Sequence, residues 1–161
     1  MSDSCIFCQI AAGKERASFV WDDPHVFGMM SLEQPTPYKV LMIPRTHVES
    51  LFDLSDELAA KLFQATVKVA RAIRDASFCP GLNIVQSNGK IGQQDVFHFH
   101  LHIVPRFKDD GIILKWDNTV EERARLDALA QEIRSAVSRS MPNGQGIGSD
   151  GAERSSDAMR G

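Results

Sequence analysis

The chain has 161 residues, 43% of them hydrophobic and 24% charged, with a formal net charge of −3. That is the length and balance of one soluble globular domain with a real core; the charge offers no nucleic-acid surface, and no apolar run approaches the ~20 residues of a membrane helix. Three cysteines, an odd number, argue against a disulfide framework, and the opening MSDSCIFC has no basic region followed by a long apolar run, so a reducing, cytoplasmic location is expected.

Residues 5–12, CIFCQIAA, read as a short helix or turn closed by Gly13. Cys5 and Cys8 are separated by two residues, a spacing that by itself suits two buried apolar thiols or half of a metal site. Segments 17–22 (ASFVWD) and 25–30 (HVFGMM) read as strands joined at Asp23-Pro24, with His25 a solvent-exposed turn residue. Residues 31–37 form a loop with two prolines, and 38–43 (YKVLMI) a buried strand ended by Pro44. Ser55 is a candidate N-cap, with Asp56 and Glu57 in the first turn, where the helix dipole favours them. Leu58, Leu62, Ala65, Val69 and Ile73 recur three and four apart and make one apolar helix face, opposite a solvated face of Lys61, Lys68, Arg71 and Arg74. The helix stops before Cys79-Pro80-Gly81, and Cys79 reads as an inert core or loop thiol.

Residues 82–87 (LNIVQS) follow as a strand, and Asn88-Gly89 and Gly92 mark a loop. In 97–106, FHFHLHIVPR, His98, His100 and His102 alternate with Phe97, Phe99, Leu101 and Ile103. A period of two predicts one strand with three imidazoles on one face and four apolar residues toward the core, ending at Pro105. KDDG is polar, and 120–137 is a second amphipathic helix with Leu126, Leu129, Ile133 and Val137 on one side. From Met141 on, apolar residues are few and Gly and Ser many, so 1–140 is expected to hold the domain and 141–161 a disordered tail. The order of elements predicts an α+β domain, an antiparallel sheet with helices on one side.

Histidine is a poor choice for a merely wet face; near neutral pH it serves as base, nucleophile or ligand. Adjacent imidazoles of the row can share one zinc ion, whereas all three on one ion need a bent strand. The row can also be split, with one end structural and two histidines facing a substrate. Two thiolates and two imidazoles make a closed tetrahedral set, and Cys5, Cys8, His47 and His98 are the residues on offer.

HFHLHIV fits the pattern His-φ-His-φ-His-φ-φ, with φ apolar, at every position, and CIFCQI, VLMIPRTHV and SNGKIGQQDVFH accompany it. Over roughly residues 5–110 the chain resembles the histidine triad family of nucleotide hydrolases and transferases, of the bacterial type with an N-terminal cysteine pair. The resemblance implies a five-stranded antiparallel sheet with two main helices, and a homodimer in which the long helices and a sheet edge meet. It implies structural zinc on Cys5, Cys8, His47 and His98. It implies that His100 attacks an α-phosphate, with a backbone carbonyl holding its other ring N–H, and that water then cleaves the nucleotidyl-histidine. His102 would donate to a phosphate oxygen, and Gln94 would hydrogen-bond the phosphate.

The chain departs from the family pattern at several positions. Ser31 stands where the family often has an aspartate on the ribose hydroxyls, Ser87 replaces an asparagine near the phosphate, and Tyr38-Lys39 replaces Gly-His. Gln93 replaces a glycine. Asp95 replaces a Ser or Thr that donates to the leaving group, and an ionised carboxylate cannot donate. Lys39 either pairs with a phosphate or is a surface lysine. Three functions compete. The first is a nucleotidyl hydrolase acting on phosphoramidates or dinucleoside polyphosphates. The second is a nucleotide-binding or protein-interaction module with weak or no turnover, which Ser31 and Asp95 favour. The third is a zinc-dependent hydrolase, which a fully protein-ligated set disfavours because catalytic zinc keeps an open position. The expected partners are a nucleotide and a second copy, with no nucleic acid and no membrane.

Overall fold

The structure, a computed structural model, describes residues 4–115 and 119–140. The tail expected at 141–161 lies outside the described residues. The chain divides into two compact units, Met1–Ile113 and Leu114–Gly161. The first holds α1 (Ile6–Ala11), β1 (Phe19–Asp22), β2 (Val26–Met30), β3 (Val40–Pro44), a 3-10 turn (Leu51–Asp53), α2 (Asp56–Ser77), β4 (Gly81–Val85) and β5 (Leu101–Arg106). The five strands form one sheet in the order β1-β2-β3-β5-β4, every neighbouring pair antiparallel, as expected.

The 22-residue α2 begins as its sequence predicts, with Ser55 Oγ accepting from the Leu58 N–H at 3.3 Å. It ends where Phe78 turns left-handed and its N–H bonds to the Arg74 carbonyl at 2.8 Å. Leu62, Ala65, Val69 and Ile73 pack on Val26, Val40, Met42, Phe99, Leu101 and Ile103, all on one face of the sheet. Gly28 sits on that face in the middle of β2, where a β-carbon would stand 2.8 Å from Met42 Sδ and 3.1 Å from Trp21 Cβ.

The helices do not share one side of the sheet. Phe7 and Ile10 of α1 pack on Phe27, Met29, Leu41 and Ile43, which alternate with the residues under α2 and so face the other way. β2 and β3 are therefore covered on both faces, which is why their sequences are apolar runs rather than alternations. β3 starts at Val40 rather than Tyr38, because Tyr38 takes a left-handed φ of 70°.

The histidine row differs from the single strand its alternation predicts. β5 begins at Leu101, so His102 alone of the three lies on a strand. Upstream, the His98 N–H bonds to the Val96 carbonyl at 2.8 Å and the Phe99 N–H to the Val48 carbonyl at 2.6 Å. A turn and the segment after β3 take the backbone groups that a longer strand would have given to its neighbours. Phe97, expected in the core, is 45% exposed, while Phe99, Leu101 and Ile103 keep the core face. Pro105 lies within β5 instead of ending it. Its carbonyl accepts from the Thr36 hydroxyl at 2.7 Å on the side where the β3 ladder has already stopped at Val40 and Ile103, so the missing N–H costs no ladder bond.

β5 closes in a clip that the polar KDDG run does not reveal. Arg106 Nε and Nη2 donate to the two Asp110 oxygens at 2.6 and 2.9 Å, and Nη1 donates to Asn83 at 2.7 Å. The Arg106 guanidinium holds the Asp110 carboxyl far below the usual carboxylate range. In the second unit, α3 (Arg123–Ser140) carries Leu126, Leu129, Ile133 and Val137, and no residue of it is fully buried. Among the described residues no helix is long and apolar enough to cross a membrane.

Candidate functional site

α1, the turn after β3 and the approach to β5 converge at one point. Cys5 begins α1 and Cys8 lies three residues on, so both thiols leave the same side of the helix. Cys5 Sγ is 3.4 Å from His98 Nδ1, Cys8 Sγ is 3.4 Å from His47 Nδ1, and Cys8 Sγ is 3.7 Å from His98 Nδ1. The four ligand atoms all lie within 4.8 Å of one another. A tetrahedral zinc with bonds of about 2.3 Å to sulfur and about 2.0–2.1 Å to nitrogen sets its sulfur-to-nitrogen edges at about 3.6 Å. The three separations fall on either side of that edge, so the donor set fits such an ion. His98 is fully buried and its Nε2 faces the Pro44 carbonyl at 2.8 Å. A carbonyl only accepts, so Nε2 carries the hydrogen and the Nδ1 lone pair is aimed at the thiols. Burial pushes His98 down to about 4, which keeps that lone pair available at neutral pH. None of the three cysteines is in a disulfide, and Cys79 is buried outside the cluster.

His98 also reaches the second half of the site through its backbone. Its carbonyl faces His100 Nδ1 at 2.8 Å, which places the His100 hydrogen on Nδ1 and leaves Nε2 with a lone pair. His100 is 8% exposed, edge-on to Phe7 at 5.2 Å and to His102 at 4.8 Å between ring centroids. Burial holds His100 below the ordinary imidazole value, against the upward pull of its own hydrogen bond and of Asp95. His102 lies opposite Leu41 and Val85, on the α1 face of the sheet. Burial first, then His100 and Lys39, push His102 down to about 4. Both rings are thus neutral at pH 7. One presents a lone pair, and the other has an N–H to give.

The remaining predicted site residues surround this pair unevenly. Lys39 is two residues from Leu41, the cross-strand partner of His102, and its charge is felt at both His100 and His102. The Asp95 charge is felt at the same two rings. Among the described residues neither Lys39 nor Asp95 has an ion-pair partner. Ser31 is buried after β2, with its N–H on the Lys39 carbonyl at 3.0 Å. Ser87 is half-buried after β4, and its carbonyl accepts from Gln86 Nε2 at 2.8 Å. Gln94, 4% exposed, spends its amide on backbone. Oε1 accepts from the Gly89 N–H at 2.8 Å, and Nε2 donates to the Glu49 carbonyl at 2.7 Å and the Val96 carbonyl at 3.2 Å. It braces the 89–94 loop against the segment that follows His47.

Sequence reasoning passed over Gln34. Its Oε1 accepts from the Lys39 N–H at 2.9 Å, while Nε2 donates to the Ser31 and Lys39 carbonyls at 2.6 and 2.8 Å. This closes the 31–39 loop and fixes the backbone of Lys39. A glutamine in a proline-rich loop carries no periodic signal by which to find it.

The HIT domain family matches residues 12–109. Protein hit of Bacillus subtilis is 39% identical over 139 residues, which cover 86% of this chain and 94% of that protein. The adenosine 5'-monophosphoramidase hnt1 of Schizosaccharomyces pombe is 29% identical over 135 residues, covering 83% of this chain and 98% of that protein. A zinc-bound histidine triad family protein from Mycobacterium smegmatis, solved by crystallography, is 36% identical with a TM-score of 0.65, covering 82% of this chain and 97% of that one. From the domain match and the likeness to the Bacillus protein, the chain belongs to the HIT domain family.

Proposed function

We propose that the protein is a nucleotidyl hydrolase that cleaves a phosphoramidate or phosphoanhydride bond at the α-phosphate of a nucleotide, with His100 as nucleophile. The observation that carries this reading is the His100 Nδ1 bond to the His98 carbonyl, which leaves a buried, neutral Nε2 free to attack. The likeness to an adenosine 5'-monophosphoramidase supports the substrate class. Nε2 forms a bond to the α-phosphorus as the bond to the leaving group breaks, and the leaving group departs with that electron pair and takes up a proton from solvent. Water then attacks the same phosphorus and gives up a proton to solvent, the P–N bond to His100 breaks, and the nucleotide is released with Nε2 restored. His102 donates its ring N–H to a phosphate oxygen, where charge builds. Lys39 pairs with the phosphate, and Ser31 and Ser87 line the nucleotide side. Asp95 accepts but cannot donate, so it suits an amine leaving group, whose N–H it can receive, better than an anionic phosphate.

Zinc is the proposed metal, held by Cys5, Cys8, His47 and His98, whose sulfur–nitrogen separations fit it. A set closed by four protein ligands supplies folding energy and leaves no position for a reacting water. A homodimer and a cytoplasmic location complete the reading, the first by family resemblance and the second from the odd number of cysteines in the sequence.

A second reading is a nucleotide-binding or interaction module with weak or no turnover. The occupied amide of Gln94 and the acceptor-only Asp95 favour it. A panel of adenosine and guanosine phosphoramidates and dinucleoside polyphosphates, run with wild type, His100→Ala and His102→Ala, separates the two. Hydrolysis requires turnover lost in His100→Ala and slowed about 10²–10³-fold in His102→Ala. Binding without turnover in the wild type would favour the module.

A further inference from the structure

Arg45 lies between β3 and His47, and its side chain reaches two other segments, the end of α1 and the end of β1. Nε donates to the Asp23 carbonyl at 2.7 Å, Nη1 donates to the Ala11 carbonyl at 3.1 Å, and Nη2 pairs with the Asp22 carboxylate. Its backbone N–H donates to the His25 carbonyl at 2.8 Å. The guanidinium also stands 5.6 Å from the centroid of Phe27, the buried ring in the cluster with Phe7 and Ile10 of α1.

The packing of Phe7 and Ile10 holds α1 to the sheet, but the helix has little stability of its own. Six residues are far too few for a helix to persist by itself. Its N-cap Cys5 makes no side-chain cap bond, its first turn has no acid and its last turn has no base. The carbonyls of Cys8, Gln9 and Ile10 are taken by the N–H groups of Ala12, Lys14 and Gly13 at 3.0, 2.9 and 2.9 Å. The Ala11 carbonyl is the one that Arg45 takes, so a cation from a distant segment completes the C-terminal end of the helix, where the dipole favours it. The helix so fixed carries Cys5 and Cys8, and His47 is two residues beyond Arg45. One side chain thereby sets the thiol half of the ligand set against the turn that carries His47, while His98 is held independently by Pro44.

We infer that Arg45 is a positioning residue of the metal centre, which arranges the cysteine pair against His47 before a metal arrives. The inference rests on the metal reading above, and its test keeps the two apart. Apo full-length protein is titrated with cobalt(II), whose thiolate charge-transfer band reports how many thiolates bind, and zinc affinity is measured by competition with a chromophoric chelator. Wild type should show a two-thiolate band. Arg45→Met should bind zinc about 10–100-fold more weakly, the usual cost of removing a group that orients metal ligands, with a weaker cobalt band. Arg45→Lys, which keeps the charge but loses the fork, should fall between them. Asp110→Asn, a destabilising change at the far end of β5, should leave zinc affinity unchanged, which separates positioning from general loss of stability. Wild type that binds no cobalt would overturn the metal reading and this inference with it. Wild type that binds, with Arg45→Met binding equally tightly, would overturn this inference alone. If Arg45→Met fails to fold, Arg45→Lys and Asp22→Asn decide: weakened zinc binding supports the inference, and wild-type affinity in both overturns it.

Discussion

Replacing His102 by Gln should flatten the acid limb of the stability curve. In the folded protein His102 is pushed from its ordinary 6.5 to about 4, chiefly by burial. Between those two values the unfolded chain binds a proton that the folded chain refuses. Stability is therefore complete above about pH 6.5 and is lost as pH falls toward 4, after which this residue adds no further slope. At about 1.4 kcal/mol per pH unit the full interval is worth about 3 kcal/mol, which solvent screening of this half-buried ring reduces to about 1–2 kcal/mol. The assay is urea unfolding of wild type and His102→Gln at steps from pH 7.5 to pH 4. All other titrating groups are common to both proteins, so the difference between the two curves reports this ring together with its coupling to His100. The expected result is a wild type that loses about 1–2 kcal/mol relative to the variant across that range. Parallel curves would refute the claim that His102 is a half-buried, neutral imidazole, and with it the description of the site as a pair of uncharged rings.

Gly28→Ala should cost about 1–3 kcal/mol, read as a lower urea midpoint, because its new methyl group would press on Met42 Sδ and Trp21 Cβ at 2.8 and 3.1 Å. Purified protein should carry about one zinc per chain, and Cys8→Ser should lower both the zinc content and the melting temperature; zinc-free wild type of equal stability would leave the cysteines as core thiols. Deleting 141–161, a segment with little apolar surface to bury, should leave melting temperature and turnover nearly unchanged, and a large drop would show that the segment docks.

α2 is legible in the sequence because Ser55, the two acids after it and the apolar spacing all report the same local periodicity. The sheet is nearly as legible, since β2 and β3 are apolar runs between turn residues. The alternation of 97–106 reports residue types at period two but not which groups take the backbone hydrogen bonds, and there the reading and the structure part. His98 and Phe99 give their N–H groups to Val96 and Val48. The same departure lets the His98 ring turn into the cysteine cluster while its carbonyl meets His100. The place of α1 on the opposite face of the sheet is invisible in a six-residue helix with no periodicity to read. Gln94 bonds the Glu49 carbonyl, which only the fold brings near, whereas Gln34 and Asp110 bond backbone groups of their own loops, where no periodicity marks them. The convergence of Cys5, Cys8, His47 and His98 is foreshadowed by composition and family likeness, whereas their separations are a property of the fold.

The most direct test of the account is the covalent state of His100 during turnover. Wild type mixed with an adenosine phosphoramidate, quenched within the first turnovers and digested, should yield the His100 peptide with the mass of a nucleoside monophosphate added, removable by mild acid. His100→Ala should show neither the adduct nor turnover while remaining folded. Turnover by wild type with no adduct at His100, or near wild-type turnover by His100→Ala, would contradict nucleophilic catalysis by this residue.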